Sequence, residues 1–357
     1  MPLPIKRIKN FEIVEHLGKG GMGDVYKALQ LPLERPVAIK ILLSQGGDDE
    51  EAAKRFFAEG KAISHLEHAN IVALYDYGFE NGLTFFAMHY VDGKDLFSII
   101  KKNDNLGFSL IVDWSKQICR GLKYAHEHGV IHRDIKPHNI LVDLKQRQCQ
   151  ITDFGIAQRF QRERITIEGM AIGTPEYMSP EQASGTALDA QTDIYSFGIL
   201  LYEFCTGHPP FMDSNPITVA YKQVHEFPEP PSHFRKDIPK RLELIIMKCL
   251  KKKKSERYQS VTQILVDLDS VEVSGETGLY VSKEESTPSA DEQNERRITD
   301  RRQGDRRDTG QVAHSQQSSI SPSFNLLSKE FWIYSLKNQW LTILFIALAT
   351  LVNILVK

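Results

Sequence analysis

The chain has 357 residues, 41% hydrophobic and 25% charged, with 44 basic against 46 acidic side chains and a net charge of −2. With a mean hydropathy of −0.32 it is too apolar for wholesale disorder and too weakly charged for a dedicated nucleic-acid binder. That average also excludes a multi-span membrane protein.

Residues 1–10 (MPLPIKRIKN) form an N-terminal extension without the apolar run of a signal peptide, which keeps this end in the cytoplasm. Residues 11–271 read as one folded domain, strands first and helices later. FEIVEHL, DVYKALQ and RPVAIKIL alternate as strands of an antiparallel sheet, and from Leu110 a helix-period pattern runs to a C-terminal glycine, Gly129. Cys119, Cys149, Cys205 and Cys249 make no CxxC pair, which disfavours a zinc ribbon or disulfide framework and fits a reducing compartment. Residues 272–323 turn rich in Ser, Thr, Gln, acids and Arg, a composition that reads as a disordered linker. Within it ERRITDRRQGDRRD carries six arginines whose interleaved acids cancel their field. Arg297 and Arg301 make an RxxxR spacing used by some cyclic-dinucleotide receptors, but no barrel pattern follows it.

The end is different again. Residues 324–339 place Phe331, Trp332, Tyr334, Lys329 and Lys337 as an interfacial belt would. Trp340 to Val356 is then uncharged for seventeen residues. At 1.5 Å per residue that is about 25 Å, near the lower limit for crossing a bilayer core. The expectation is a single C-terminal transmembrane helix, with only Lys357 beyond it and the folded domain in the cytoplasm, against the inner membrane of a bacterium.

Chemistry-bearing motifs begin at Gly18-Lys19-Gly20-Gly21-Met22-Gly23-Asp24-Val25, a GxGxxGxV pattern whose backbone N–H groups can approach phosphate. Alone it is weak. DVYKAL alternates like a second strand, so the loop is a hairpin and not the strand-to-helix turn of a dinucleotide site. Lys40 closes the apolar strand Val37-Ala38-Ile39, and a lysine brought inward there needs a counter-charge, for which Glu59 on an amphipathic stretch is a candidate. His132-Arg133-Asp134-Ile135-Lys136-Pro137-His138-Asn139 follows, with Asp153-Phe154-Gly155 nineteen residues after Asp134.

With these motifs, and with GTPEYMSPE (173–181) and DIYSFG (193–198) beyond them, the chain resembles the eukaryotic-type (Hanks-type) Ser/Thr protein kinases. IVALYDYG and SPEQASG resemble the bacterial branch. The resemblance covers about 260 residues. It implies an α+β, two-lobed protein-kinase-like fold with a β-rich N-lobe (11–88) and a helical C-lobe (89–271). It implies ATP and Mg²⁺ (or Mn²⁺), with nucleotide contacts from Gly18, Lys19, Gly20, Gly21, Met22, Gly23 and Val25, from Ala38 and Lys40, and from Met88, His89 and Val91 in the hinge. By the same resemblance Asp134 orients the acceptor hydroxyl and takes its proton, and Asn139 and Asp153 hold the metal. Lys40, positioned by Glu59, contacts the α- and β-phosphates, and Lys136 neutralises the transferring γ-phosphate. Lys136 together with Thr174 resembles Ser/Thr rather than tyrosine kinases. Glu181 and Arg257 resemble a structural ion pair, and His132, Phe154, Ile63 and Leu74 a hydrophobic spine anchored on Asp193.

Two departures stand out. His89 occupies a hinge position where an acid is common, and the lysine run Lys251–Lys254 replaces a frequent Asp-Pro. That run reads as a solvated face or, more sharply, an attraction to anionic lipid. Arg133 beside Asp134 implies control by phosphorylation of the activation segment, with Thr166 as acceptor and autophosphorylation as the route. Partners implied are ATP, protein substrates with Ser/Thr acceptors and a lipid bilayer, with no nucleic acid; a homodimer stays open. A nucleotide-binding pseudokinase scaffold and a small-molecule kinase are the rival readings. Intact Lys40, Asp134, Asn139 and Asp153 weigh against the first, and the GTPEYMSPE segment, which resembles a peptide-docking platform, against the second.

Overall fold

The β-branched and aromatic alternation at the start of the chain folds into a six-stranded antiparallel sheet of order β1-β2-β3-β4-β6-β5 in a computed structural model. The structure describes residues 6–20, 23–42, 60–80, 82–102, 106–154 and 174–273. The strands are β1 (Arg7–Ile8), β2 (Phe11–Gly20), β3 (Gly23–Gln30), β4 (Arg35–Leu42), β5 (Leu74–Glu80) and β6 (Leu83–His89). Phe11, Ile13, Tyr26, Ala28, Val37, Ile39, Phe85 and Ala87 point inward and make one core. Ile8 joins that core from β1, so the sheet starts ahead of Phe11.

The second core is helical. It comprises α1 (Leu96–Lys102), α2 (Phe108–Glu127), α3 (Pro180–Ala183), α4 (Ala190–Thr206), α5 (Pro216–His225), α6 (Lys240–Cys249) and α7 (Val261–Asp269), with a small sheet of β7 (Lys94–Asp95), β8 (Ile140–Asp143) and β9 (Gln148–Ile151) packed on α1 and α2. α4 is buried along most of its length and forms the centre, with Ile194, Tyr195, Phe197, Ile199, Leu200 and Leu201 all shut from water. α2 ends as its sequence indicates: Gly129 takes φ +73° just past the last turn and its N–H donates to His126 O.

One junction positions the site. Asn70–Val72, leading into β5, runs parallel to Ile151 at the end of β9, with Ile151 N–H donating to Asn70 O and Val72 N–H to Ile151 O, both 2.9 Å. Asn70 Nδ2 adds a bond to Cys149 O (2.9 Å). α2 presses against this junction at Gly121, where a Cβ would lie 2.8 Å from Asn70 O. The chain therefore leaves β9 toward Asp153 from a fixed point beside the first sheet.

The chain divides into units 1–282 and 283–357, and every described residue belongs to the first. The linker over 272–323 beyond residue 273, the interfacial segment 324–339 and the apolar stretch 340–356 lie outside the described residues. Among the described residues no helix is long and apolar enough to cross a membrane.

Candidate active site

The glycine motif is a hairpin. Gly18 pairs with Val25, Lys19 with Asp24 and Gly20 with Gly23 across β2 and β3. Gly23 has φ +150°, and a Cβ there would sit 1.9 Å from Ile41 O, so no other residue fits without moving β4. Gly21, Met22 and Glu59 lie outside the described residues. Val25 pairs with Lys40 on β4, and Ala38 pairs with Met88 on β6, which sets the loop, the lysine and the hinge side by side.

Lys40 Nζ donates to Asp153 Oδ1 at 2.7 Å, with the lysine side chain 12% and the aspartate 30% exposed. Asp153 adopts φ +61°, a left-handed backbone that a non-glycine residue keeps only when its surroundings enforce it. Lys40, Met88 and Asp153 line one cleft together with Ile63, Leu74, Phe86 and Phe154. Val25, Ala38 and Val91 are not among its walls. His89 is exposed, its ring meeting Tyr75 OH at 3.1 Å, and its N–H is spent on Ala73 O. A base bound there would meet the His89 carbonyl and not its side chain.

The catalytic loop is tied to the same place. His132 is fully buried: its Nδ1 accepts from Asp134 N–H (3.2 Å), so its Nε2–H donates to Thr152 O (2.9 Å). Its ring packs on Phe154 at 4.6 Å. Beneath it Asp193, 0% exposed, accepts from the backbone N–H of His132 (2.8 Å) and Arg133 (2.7 Å) and from His126 Nε2 (2.8 Å). Burial pushes the Asp193 pKa up, but the bond and charge of His126, with the contribution of His132, outweigh it and hold the carboxylate below its ordinary range. Arg133 is left at φ +68° by this grip. The spine of His132 and Phe154 on Asp193 is thus assembled, and Ile63 and Leu74 share its cavity.

Asp134 and its neighbours form the second half. Asn139 Nδ2 donates to Asp134 O (2.7 Å) and Oδ2 (3.0 Å), and Lys136 Nζ lies 2.9 Å from Asp134 Oδ2 and 3.5 Å from Thr174 Oγ1. Thr152 N–H donates to Asn139 O, which ties this half to Asp153 one residue later. Asn139 has its amide nitrogen occupied and keeps Oδ1 for a cation, while Asp153 supplies carboxylate oxygen. Such hard donors fit a divalent ion completed by phosphate oxygens and water. Among the described residues no group of three or more His, Cys, Asp and Glu could hold a metal unaided.

The activation segment beyond Phe154, Thr166 included, lies outside the described residues up to Gly173. Where it re-enters, Ser179 caps α3 with Gln182 in a reciprocal box, and Gln182 Nε2 reaches Arg133 O at 2.7 Å. Tyr177 OH is bonded to the buried carboxylate of Glu203, and Ser196 Oγ holds Tyr177 O at 2.8 Å. Glu181 and Arg257 pair bidentately at 2.8 and 2.9 Å.

Sequence reasoning did not single out His126, whose only signal was its place six residues before His132, nor Gln223 and Lys252. Lys252 corrects the reading of the lysine run. Its ammonium faces inward, Lys254 holds Ala187 O (2.7 Å) and Asp189 (2.9 Å), and Lys253 lies 3.7 Å from Glu256, so three of the four charges of Lys251–Lys254 have a partner within the domain. His138, exposed beside Asn139, stacks on Phe97 at 4.1 Å.

A family model for the protein kinase domain matches residues 11–267. The chain belongs to the protein kinase domain family. It is 41% identical over 261 residues to a probable serine/threonine-protein kinase of Clostridium acetobutylicum, covering 73% of this chain and 40% of that protein. It is 38% identical over 274 residues to the serine/threonine-protein kinase PknB of Mycolicibacterium smegmatis, covering 75% and 44%. The chain thus spans about two fifths of the length of the curated relatives it matches. The crystal structure of the Mycobacterium tuberculosis PknI kinase domain superposes with a TM-score of 0.60 at 23% identity, over 75% of this chain and 99% of that one, a likeness of fold.

Proposed function

We propose that the chain is an ATP-dependent protein serine/threonine kinase. The observation that carries this reading is the linkage of Lys40–Asp153 to Asn139–Asp134–Lys136 through Thr152, which sets a phosphate-side cation and a proton acceptor at one cleft. Kinship with proteins named serine/threonine-protein kinases supports the substrate class.

The Asp134 carboxylate, steered by Asn139 and by its own N–H on His132, holds the acceptor hydroxyl and takes its proton. Lys136 lies beside that carboxylate and beside Thr174, and it sets positive charge where the phosphoryl group passes. Lys40 leaves its contact with Asp153 to share the phosphates, and the Gly18–Gly23 hairpin covers them with backbone N–H groups. Asn139 and Asp153 would hold Mg²⁺ or Mn²⁺, which when bound neutralises phosphate charge and orients the transferring group. The protein contributes position and charge more than covalent chemistry. A pseudokinase is disfavoured because all four residues it would lack are present.

Three finer parts belong to this reading. Thr166 is phosphorylated by the chain itself, residues 340–356 tether the domain to a bilayer, and the domain faces the cytoplasm. With labelled ATP, Mg²⁺ and a generic basic protein, the label is expected on phosphoserine and phosphothreonine. Label confined to phosphotyrosine or to a small molecule contradicts the proposal. Mass spectrometry of the chain expressed alone should find phosphate on Thr166; an active enzyme unmodified there contradicts autophosphorylation at that site.

A further inference from the structure

Lys252 lies in the charged run Lys251–Lys254, yet its side chain is partly buried and all three of its donors have a partner. It donates to Gln223 O (2.7 Å), Lys222 O (3.4 Å) and Tyr195 OH (3.0 Å), and sits over the Phe211 ring at 4.5 Å. Gln223 O is an orphan acceptor of the last turn of α5, Lys222 O also accepts from Glu226 N–H (2.9 Å), and a cation is favoured at this helix end. Because Tyr195 oxygen accepts from Lys252, its own proton is directed to Gln223 Oε1 at 2.8 Å. That fixes the orientation of the Gln223 amide, whose Nε2 donates to Glu176 O (2.7 Å) and Pro175 O (3.2 Å). Gln223 is fully buried, so no water substitutes for the bonds its amide makes.

The donors therefore run in one direction from Lys252 through Tyr195 and Gln223 to the backbone of Pro175 and Glu176. The next residue back is Thr174, whose hydroxyl faces Lys136 beside Asp134. We infer that Lys252 is a positioning residue for the acceptor-docking loop 174–177, acting through Tyr195, Gln223 and the end of α5 on where a protein substrate lies relative to Asp134. This rests on the kinase reading above. It concerns the protein acceptor and leaves the nucleotide side, built from Lys40 and Asp153, untouched.

The test uses the full chain as wild type, Lys252→Met and Tyr195→Phe, the last keeping the ring and removing only the relaying hydroxyl. Each loses about one buried hydrogen bond's worth of order, so the KM for a protein substrate should rise about five- to tenfold, with kcat and the KM for ATP within about twofold. In parallel, amide hydrogen exchange at residues 174–178 and at the end of α5 should quicken while α7 keeps its protection. Unchanged exchange at residues 174–178, or quickening spread evenly over the domain, overturns the inference, as does a rise in the KM for ATP equal to that for protein. A wild-type chain that transfers no phosphate overturns the kinase reading instead, and the exchange data still decide the role of Lys252.

Discussion

Glu181 and Arg257 meet where no water reaches, with side chains 5% and 0% exposed, whereas Lys40 and Asp153 meet at the wall of a cleft. The two pairs are built for opposite purposes. Burial raises the Glu181 pKa, but two bonds and the charge of Arg257, with the Thr192 hydroxyl, bring it below the ordinary value. A pair so enclosed is costly to break on one side only. Arg257→Met should destabilise the domain by about 3–5 kcal/mol in denaturant titration, more than a surface charge removal would. Lys40 and Asp153 retain access and can exchange each other for phosphate and cation. Lys252 gives a pH signature. Burial and then the charge of Arg257 push its pKa from 10.5 down to about 7, against an opposing pull from Glu226, with Lys222 and Tyr195 as its other close neighbours. Between those two values the unfolded chain holds a proton that the folded one has released. Stability contributed by this group therefore rises with pH from about 7 toward 10, and is flat below 7. The melting temperature of wild type measured against that of Lys252→Met should therefore rise from pH 7 to pH 9 and hold level below pH 7.

At the scale of elements, the site depends on a contact between segments eighty residues apart. Asn70–Val72 and Ile151 lie parallel, and α2 closes on them only because position 121 has no side chain. Gly121→Ala should cost about 1–3 kcal/mol and lower the melting temperature, since the added methyl meets the Asn70 carbonyl, which is fixed backbone, as well as the tip of Ile151. This contact also marks what the sequence made legible. β2, β3 and β4 were readable from alternation, and the end of α2 from Gly129, because each is a local pattern. Asp134, Asn139, Asp153 and Lys40 were readable because their spacing is fixed along the chain. The pairing of Asn70 with Ile151 left no periodic trace. Lys252 looked like its three neighbours, since which lysine of a run turns inward depends on Tyr195, Phe211 and Gln223, brought there by folding. His126 was similarly hidden, its partner Asp193 being 67 residues away.

At the scale of the whole molecule, the near-neutral charge conceals unlike segments: a kinase-family domain, a polar arginine-bearing stretch and an apolar end. The proposed tether makes a direct claim about the last of these. The full chain should float with phospholipid vesicles, and Leu348→Arg, placing a charge near the centre of residues 340–356, should cost insertion about 2.5–3.5 kcal/mol and shift the chain to the unbound fraction. Equal flotation of both proteins would contradict the tether. The central claim concerns the cleft, and it is tested most directly by measuring phosphate transfer and nucleotide affinity together in wild type and Asp134→Asn. If Asp134 is the proton acceptor, initial rates fall by about 10²–10⁴ while the Kd for Mg²⁺-ATP stays within about threefold. Transfer that survives the substitution, or a loss of rate matched by an equal loss of nucleotide binding, would contradict the account.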